Sequence, residues 1–269
     1  MDKVDSEESD AIVEEIPQEE VIAVEVSESL PESRPWTVPE SLNGVATMHE
    51  GKFNPDEVKF LVYGESGVGK TVFASTWPDV CFLDIDKGMA SVKRQVFRVE
   101  INYWEDLLTA IEWVVSGEHP FKTVVLDSLN ELQYLTMRNV VSAFPSIKRP
   151  YNNLPSQSDY GKMLDEFEKN VRWLRSARMN VVLIAQVAPR EYETDPVQPQ
   201  LVGKASSRNL CRMMDIVGYL DKADGEGDGA KTRVLTFDAT NYVTKDRSDK
   251  LPQRLEHPTY DVLRSYWDR

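Results

Sequence analysis

The 269-residue chain is poor in cysteine: Cys81 and Cys211 are its only two, and no C-x-x-C pair is present to ligate zinc. That usage fits a reducing cytosol. Long apolar runs are missing as well. No stretch approaches the roughly 18 apolar residues of a membrane span, and the acidic N-terminus lacks the basic and apolar regions of a signal peptide. The expectation is a soluble cytoplasmic protein with no membrane contact. An excess of basic residues is the third absence, since the formal net charge is -14. Residues 1–34, however, hold 12 acidic residues and 2 basic ones and supply -10 of that total. The rest of the chain is close to neutral and has room for a local basic strip, so the overall acidity does not exclude nucleic acid.

What the chain does have is Gly64-Glu65-Ser66-Gly67-Val68-Gly69-Lys70-Thr71, the full G-x-x-x-x-G-K-[ST] spacing of a phosphate-binding loop. The run from Val58 to Tyr63 before it reads as a buried strand, and Thr71 to Trp77 after it as a helix ended by Pro78. Three glycines let the backbone curl so that successive N–H groups and a helix N-terminus point at a polyanion. Lys70 is then placed to reach the β- and γ-phosphates of ATP, and the Thr71 hydroxyl to meet a magnesium ion, Mg2+.

Residues 1–34 are too charged to bury a core of their own and read as a disordered acidic tail. Within it Glu20 to Val26 has strand character, and the sharper alternative is that it adds to the sheet edge of a neighbouring subunit or partner. Residues 35–56 read as a linker or oligomerisation segment. From residue 57 to 269 apolar strands alternate with helical patterns, the signature of an α/β fold with a mostly parallel twisted sheet flanked by helices. Val80 to Asp86 reads as a buried strand closing on two carboxylates, Asp84 and Asp86. Helices are expected over Trp104–Val115, Leu129–Val141 and Tyr160–Ala177. The strand Thr123 to Asp127 closes on the acid expected to hold the magnesium through water, and Asn180 to Gln186 closes on an uncharged hydrogen-bonding side chain. Asp215–Leu220 and Thr232–Phe237 read as a C-terminal antiparallel hairpin. The Gly- and Asp-rich segment 221–229 that joins them reads as an exposed turn, because it lacks the ligands of a calcium loop. Two long polar segments remain, 144–159 and 187–207. The first is either a surface excursion or a nucleic-acid contact, and the second lies beside the nucleotide and reads as ordered by a ligand.

Taken together, Gly64–Thr71, Asp86, Asp127-Ser128, Gln186 and Thr244-Lys245-Asp246-Arg247 resemble the RecA recombinase core over roughly residues 57–250. The likeness is to the shortened, phage-encoded Sak-type relatives that anneal single-stranded DNA. The resemblance implies that Asp86 activates the attacking water, where Glu is usual and Asp is one methylene shorter. It implies that Gln186 senses the γ-phosphate and passes its state to residues 187–207 as the main DNA loop, with 144–159 as the other. Candidate DNA contacts are then Lys148, Arg149, Tyr151, Arg190, Lys204 and Arg208. Lys245 and Arg247 resemble cations inserted into a neighbouring subunit's site, which implies a homo-oligomeric ring or filament. Their plainer reading is a solvated pair at a turn. No counterpart of RecA's additional DNA-pairing C-terminal region is evident, so annealing or loading, with a single-strand-binding protein as a further partner, is expected over full strand exchange. A phage-encoded chain would act in the host bacterial cytoplasm. Two other classes stay open: a nucleotide-gated assembly or loader protein with little hydrolysis, and a P-loop small-molecule kinase.

Overall fold

A computed structural model describes residues 51–143, 154–203, 205–224 and 231–269. The acidic tail, most of the 35–56 segment, Lys148, Arg149, Tyr151 and Lys204 lie outside the described residues. The compact unit runs from Gly51 to Arg269. Its elements in order are β1 (Lys59–Gly64), α1 (Lys70–Ala74), β2 (Val80–Asp84), β3 (Phe97–Glu100), α2 (Trp104–Ser116), β4 (Thr123–Asp127), α3 (Leu129–Ala143), α4 (Gln157–Arg175) and β5 (Asn180–Gln186). They continue with α5 (Ser206–Met213), β6 (Ile216–Asp224), β7 (Lys231–Thr236), β8 (Lys245–Asp246), β9 (Arg254–Glu256) and α6 (Tyr260–Trp267).

Among the described residues, all nine strands join one sheet in the order β3-β2-β4-β5-β1-β6-β7-β9, with β8 pairing to β6. The strands from β3 to β6 run parallel, and β7, β8 and β9 add antiparallel to that end. This is the expected α/β fold, a mostly parallel sheet with a C-terminal antiparallel hairpin. Every residue of β1, β2 and β4 is buried, which is why these strands read as continuous apolar runs: both of their faces are covered by helices. One face carries α2, α3, α4 and α5 through residues such as Leu107, Ile111, Leu132, Phe167 and Leu174. The other carries α1 and α6 through Phe60, Phe73, Trp77, Leu263 and Trp267. Burying an aliphatic or Phe side chain of this kind contributes roughly 1.5–3 kcal/mol. In α4 the apolar set Met163, Phe167, Val171 and Leu174 repeats at helical spacing and is buried. Ser156 starts that helix, its N–H donating to the Asp159 carboxylate at 2.8 Å.

The connections place a crevice. From β1 the chain crosses towards β2, while from β5 it crosses the other way to β6, so the strand order reverses between β1 and β5. In open α/β sheets the ligand crevice lies at the carboxyl ends of the strands at such a point. Here those ends are Gly64 and Gln186, which are Cα partners in the ladder.

Several element bounds differ from the sequence reading, α4 among them, which runs Gln157–Arg175 and not from Tyr160 to Ala177. The helix after the phosphate-binding loop ends at Ala74, not Trp77, because the Thr76 hydroxyl bonds back to the Phe73 carbonyl at 2.7 Å and the chain tightens into a turn. The second strand stops at Asp84 rather than Asp86. The hairpin strands are longer than the apolar pattern indicated: β6 and β7 pair as far as Asp224 and Lys231, since backbone hydrogen bonding does not need apolar side chains.

Candidate nucleotide-binding site

The loop 64–71 is built by close approach. A Cβ on Gly64 would stand 2.2 Å from the Leu220 carbonyl oxygen of β6, so no side chain fits there. Gly69 has φ +108, in the left-handed region, and a Cβ on it would meet the Arg233 Nε at 2.3 Å. Arg233, on β7, donates through that Nε to the Val68 carbonyl at 3.0 Å. The antiparallel hairpin therefore braces the loop within the same chain, a contact sequence pattern alone could not locate because it joins residues 165 positions apart.

Lys70 is buried at the centre. Its ammonium donates to the Gly64 carbonyl at 2.8 Å, the Glu65 carbonyl at 2.9 Å and the Gln186 Oε1 at 3.0 Å. Burial pulls its pKa below the usual lysine range, opposed by the negative charges of Asp127, Glu65 and Asp86. Beside it the Thr71 hydroxyl donates to Asp127 Oδ2 at 2.7 Å. Asp127 is buried at the end of β4, and desolvation pushes its pKa up to about 6, against the lowering effect of the Thr71 hydrogen bond. The Asp127–Ser128 peptide is cis.

A hydroxyl and a carboxylate side by side are hard oxygen donors. They suit magnesium, which takes one or two protein oxygens and completes its shell with water and phosphate. Among the described residues no group of three or more His, Cys, Asp or Glu forms a self-contained metal cage.

Asp86 lies exposed just past β2, and its charge is felt by both Lys70 and Asp127. Asp84, two residues earlier, is instead fully buried and lies 3.4 Å from Arg98. The two acids thus do not work as an exposed pair.

Gln186 sits where expected, and its neighbours show how loop 187–202 is attached. The Gln186 N–H donates to Asn130 Oδ1 at 2.9 Å, and Asn130 Nδ2 donates to the Gln200 carbonyl at 2.8 Å. Gln133 holds Val202 through both ends of its side-chain amide, Nε2 donating to the Val202 carbonyl and Oε1 accepting the Val202 N–H. Val187 and Pro199 form an antiparallel bridge, and Tyr63 donates to the Val197 carbonyl at 2.9 Å. The base of this loop is thus folded onto α3 and β1. Its tip presents exposed Arg190 and Tyr192. Asn130 and Gln133 were missed because a polar residue on a helix carries no pattern that names its partner. Arg208 is exposed on α5.

Lys245 and Arg247 are engaged elsewhere. Lys245 donates to the carbonyls of Met214 and Arg212, at 2.5 and 3.0 Å, at the end of α5. Arg247 pairs with Asp215 at 2.9 Å. Lys245 is level with Val217, which is level with Leu61. It therefore lies about 10 Å along the strand from the loop that begins at Gly64, and its own nucleotide site is out of its reach.

A strand, a glycine loop closed by Lys-Thr, and a buried Asp on the strand beyond define a P-loop nucleotide-binding protein. A family profile described as AAA domain matches residues 56–248, and the chain belongs to that family. No curated protein matches the chain. Among solved structures it is similar to a KaiC-like protein from Pyrococcus horikoshii, with 14% identity and a TM-score of 0.36 over 67% of this chain and 77% of that one. It is also similar to a second solved structure, described as an ATPase domain, with 10% identity and a TM-score of 0.43 over 75% of this chain and 81% of that one.

Because Asp127 must be ionised to hold a cation, magnesium-dependent nucleotide binding should weaken as the pH falls from about 7 to about 5, approaching tenfold per pH unit below its pKa. Titration with a fluorescent nucleotide across this range checks it. An Asp127→Asn variant should bind weakly at every pH and lose that slope.

Proposed function

We propose that the protein is a magnesium-dependent, RecA-like ATPase that assembles on single-stranded DNA and promotes phage recombination or strand annealing. The observation that carries this reading is the hydrogen bond from Lys70 to Gln186, continued through Asn130 to Gln200. It joins the phosphate-binding lysine directly to the base of the loop bearing Arg190 and Tyr192. Cations with an aromatic at a loop tip suit the backbone and bases of a single strand.

In this reading the triphosphate lies in residues 64–71, and Lys70 exchanges its loop carbonyls and Gln186 for phosphate oxygens. Thr71 and Asp127 would hold the magnesium, which would supply charge neutralisation at the phosphates. Asp86 orients the attacking water. The nucleoside runs off α1 into a recess of about 500 Å³ lined by Val72, Ser75, Thr76, Ser91, Lys93 and Arg94. Released from Lys70, the Gln186 side chain turns to the γ-phosphate, and the accompanying shift of the Gln186 backbone, whose N–H is held by Asn130, passes to Gln200 and the loop. Lys245 and Arg247, out of reach of their own site, serve the site of a neighbouring subunit, where positive charge stabilises the transition state. A second reading, nucleotide-gated assembly with little turnover, is favoured by the engagement of those two cations within their own chain.

Steady-state ATP hydrolysis at fixed magnesium, with and without single-stranded DNA, tests the first reading. DNA should stimulate turnover, raised salt should weaken the stimulation through loss of phosphate contacts, and Lys70→Ala should remove it. Unstimulated hydrolysis in a protein shown to bind ATP would count against it, and ATP binding without phosphate release would favour the second. For the in-trans role, a Lys245→Ala/Arg247→Ala protein mixed with Lys70→Ala protein should regain turnover. No recovery in mixed oligomers shown to form would refute that role.

A further inference from the structure

The turn after β2 is fastened more heavily than an exposed turn requires. Asp84 closes β2 opposite Asp127 in the ladder. The N–H groups of Ile85 and Asp86 both donate to the Asp127 carbonyl, at 2.8 and 3.0 Å. Asp84 Oδ1 accepts the Lys87 N–H at 2.8 Å. Lys87 has φ +58, a left-handed conformation that is costly for a residue with a side chain and persists only when its surroundings impose it. They do: its ammonium donates to Asn102 Oδ1 at 2.6 Å and lies 3.4 Å from Glu100 Oε1. Glu100 pairs with Arg98, and Arg98 reaches back to Asp84 at 3.4 Å. The ring from Asp84 through Lys87, Glu100 and Arg98 closes on itself across the edge strand β3.

Asp84 is 0% exposed, and its Oδ2 has no hydrogen bond. A buried, partly satisfied carboxylate is a poor way to end a strand if stability is the only demand. What it does achieve is to hold the Lys87 N–H, and with it the turn that carries Asp86, whose charge acts on Lys70 and Asp127.

We infer that Asp84 and Lys87 are positioning residues that fix the Asp86 carboxylate over the phosphate end of the sheet. The inference rests on the reading of Asp86 as the residue that orients water. It also supplies what a base on a side chain as short as that of Asp demands. A shorter base has less side chain with which to correct its aim, so the backbone must be held in place. A misplacement of about 1 Å can cost on the order of a hundredfold in rate.

The test uses the full chain with Lys87→Met, Lys87→Arg, Asp84→Ala, Asp84→Asn and Asp86→Ala. Without nucleotide, Lys87→Met and Asp84→Ala should speed amide hydrogen exchange at residues 85–87 by roughly tenfold or more, leaving the core strands unchanged. With ATP, they should lower kcat by roughly tenfold to a hundredfold while ATP affinity stays within about twofold. Lys87→Arg, which keeps the cation, and Asp84→Asn, which keeps the acceptor, should recover most of both. Unchanged exchange at 85–87 would overturn the inference. So would equal losses of ATP affinity, global stability and kcat, the pattern of a merely structural role. Asp86→Ala separates the two claims. If it keeps turnover, the reading of Asp86 fails. If it abolishes turnover while Lys87→Met turns over normally, only the positioning inference fails.

Discussion

Burying an ammonium group is costly unless every donor finds a partner, and in this fold three acceptors meet the Lys70 ammonium where β1 and β5 lie side by side. Two of them are carbonyls of the glycine loop itself and the third is the side chain that ends β5. Much of the surrounding structure secures that junction. Leu220 and Arg233 press on the loop from the β6–β7 hairpin, which is why glycine stands at 64 and 69. Asn130 ties the end of β5 to α3. A polyanion entering the loop competes for the same ammonium, so nucleotide binding cannot leave Gln186 undisturbed.

The two ends of the sheet divide the work. At the carboxyl ends of the strands stand the phosphate loop, Asp127, Asp86 and the base of loop 187–202. Towards the opposite end, Lys245 and Arg247 hold the last carbonyls of α5 and Asp215. Positive charge at a helix C-terminus is favourable in its own right, so these cations have a structural place whether or not a second subunit uses them. The hairpin strands span the region between, and Arg233 gives them a direct hold on the nucleotide loop.

Much of this was legible in the chain. The glycine loop spacing, the acid after Thr123-Val124-Val125-Leu126 and the strand ending in Gln186 located three of the four strand ends that form the site, because buried parallel strands are continuous apolar runs and their carboxyl ends are where polarity returns. Contacts between distant polar residues were not legible. Nothing in the sequence pairs Arg233 with Val68, Asn130 with Gln200 or Lys87 with Asn102, since a single polar residue has many chemically equivalent partners. The end of β2 was misplaced by two residues for the same reason. Asp84 and Asp86 read as two carboxylates closing one strand, and only the neighbouring strand β3, with Arg98, shows that Asp84 is buried and engaged.

The central claim is that Lys70 and Gln186 carry nucleotide state to a DNA-binding loop. Its most direct test is the affinity for single-stranded DNA with and without a non-hydrolysable ATP analogue, in the natural protein and in Gln186→Ala. The analogue should change DNA affinity by about 5- to 150-fold, the usual range of a coupling free energy of about 1–3 kcal/mol. In Gln186→Ala the analogue should still bind while the change disappears. Equal DNA affinity with and without the analogue in the natural protein, at saturating nucleotide, would contradict it.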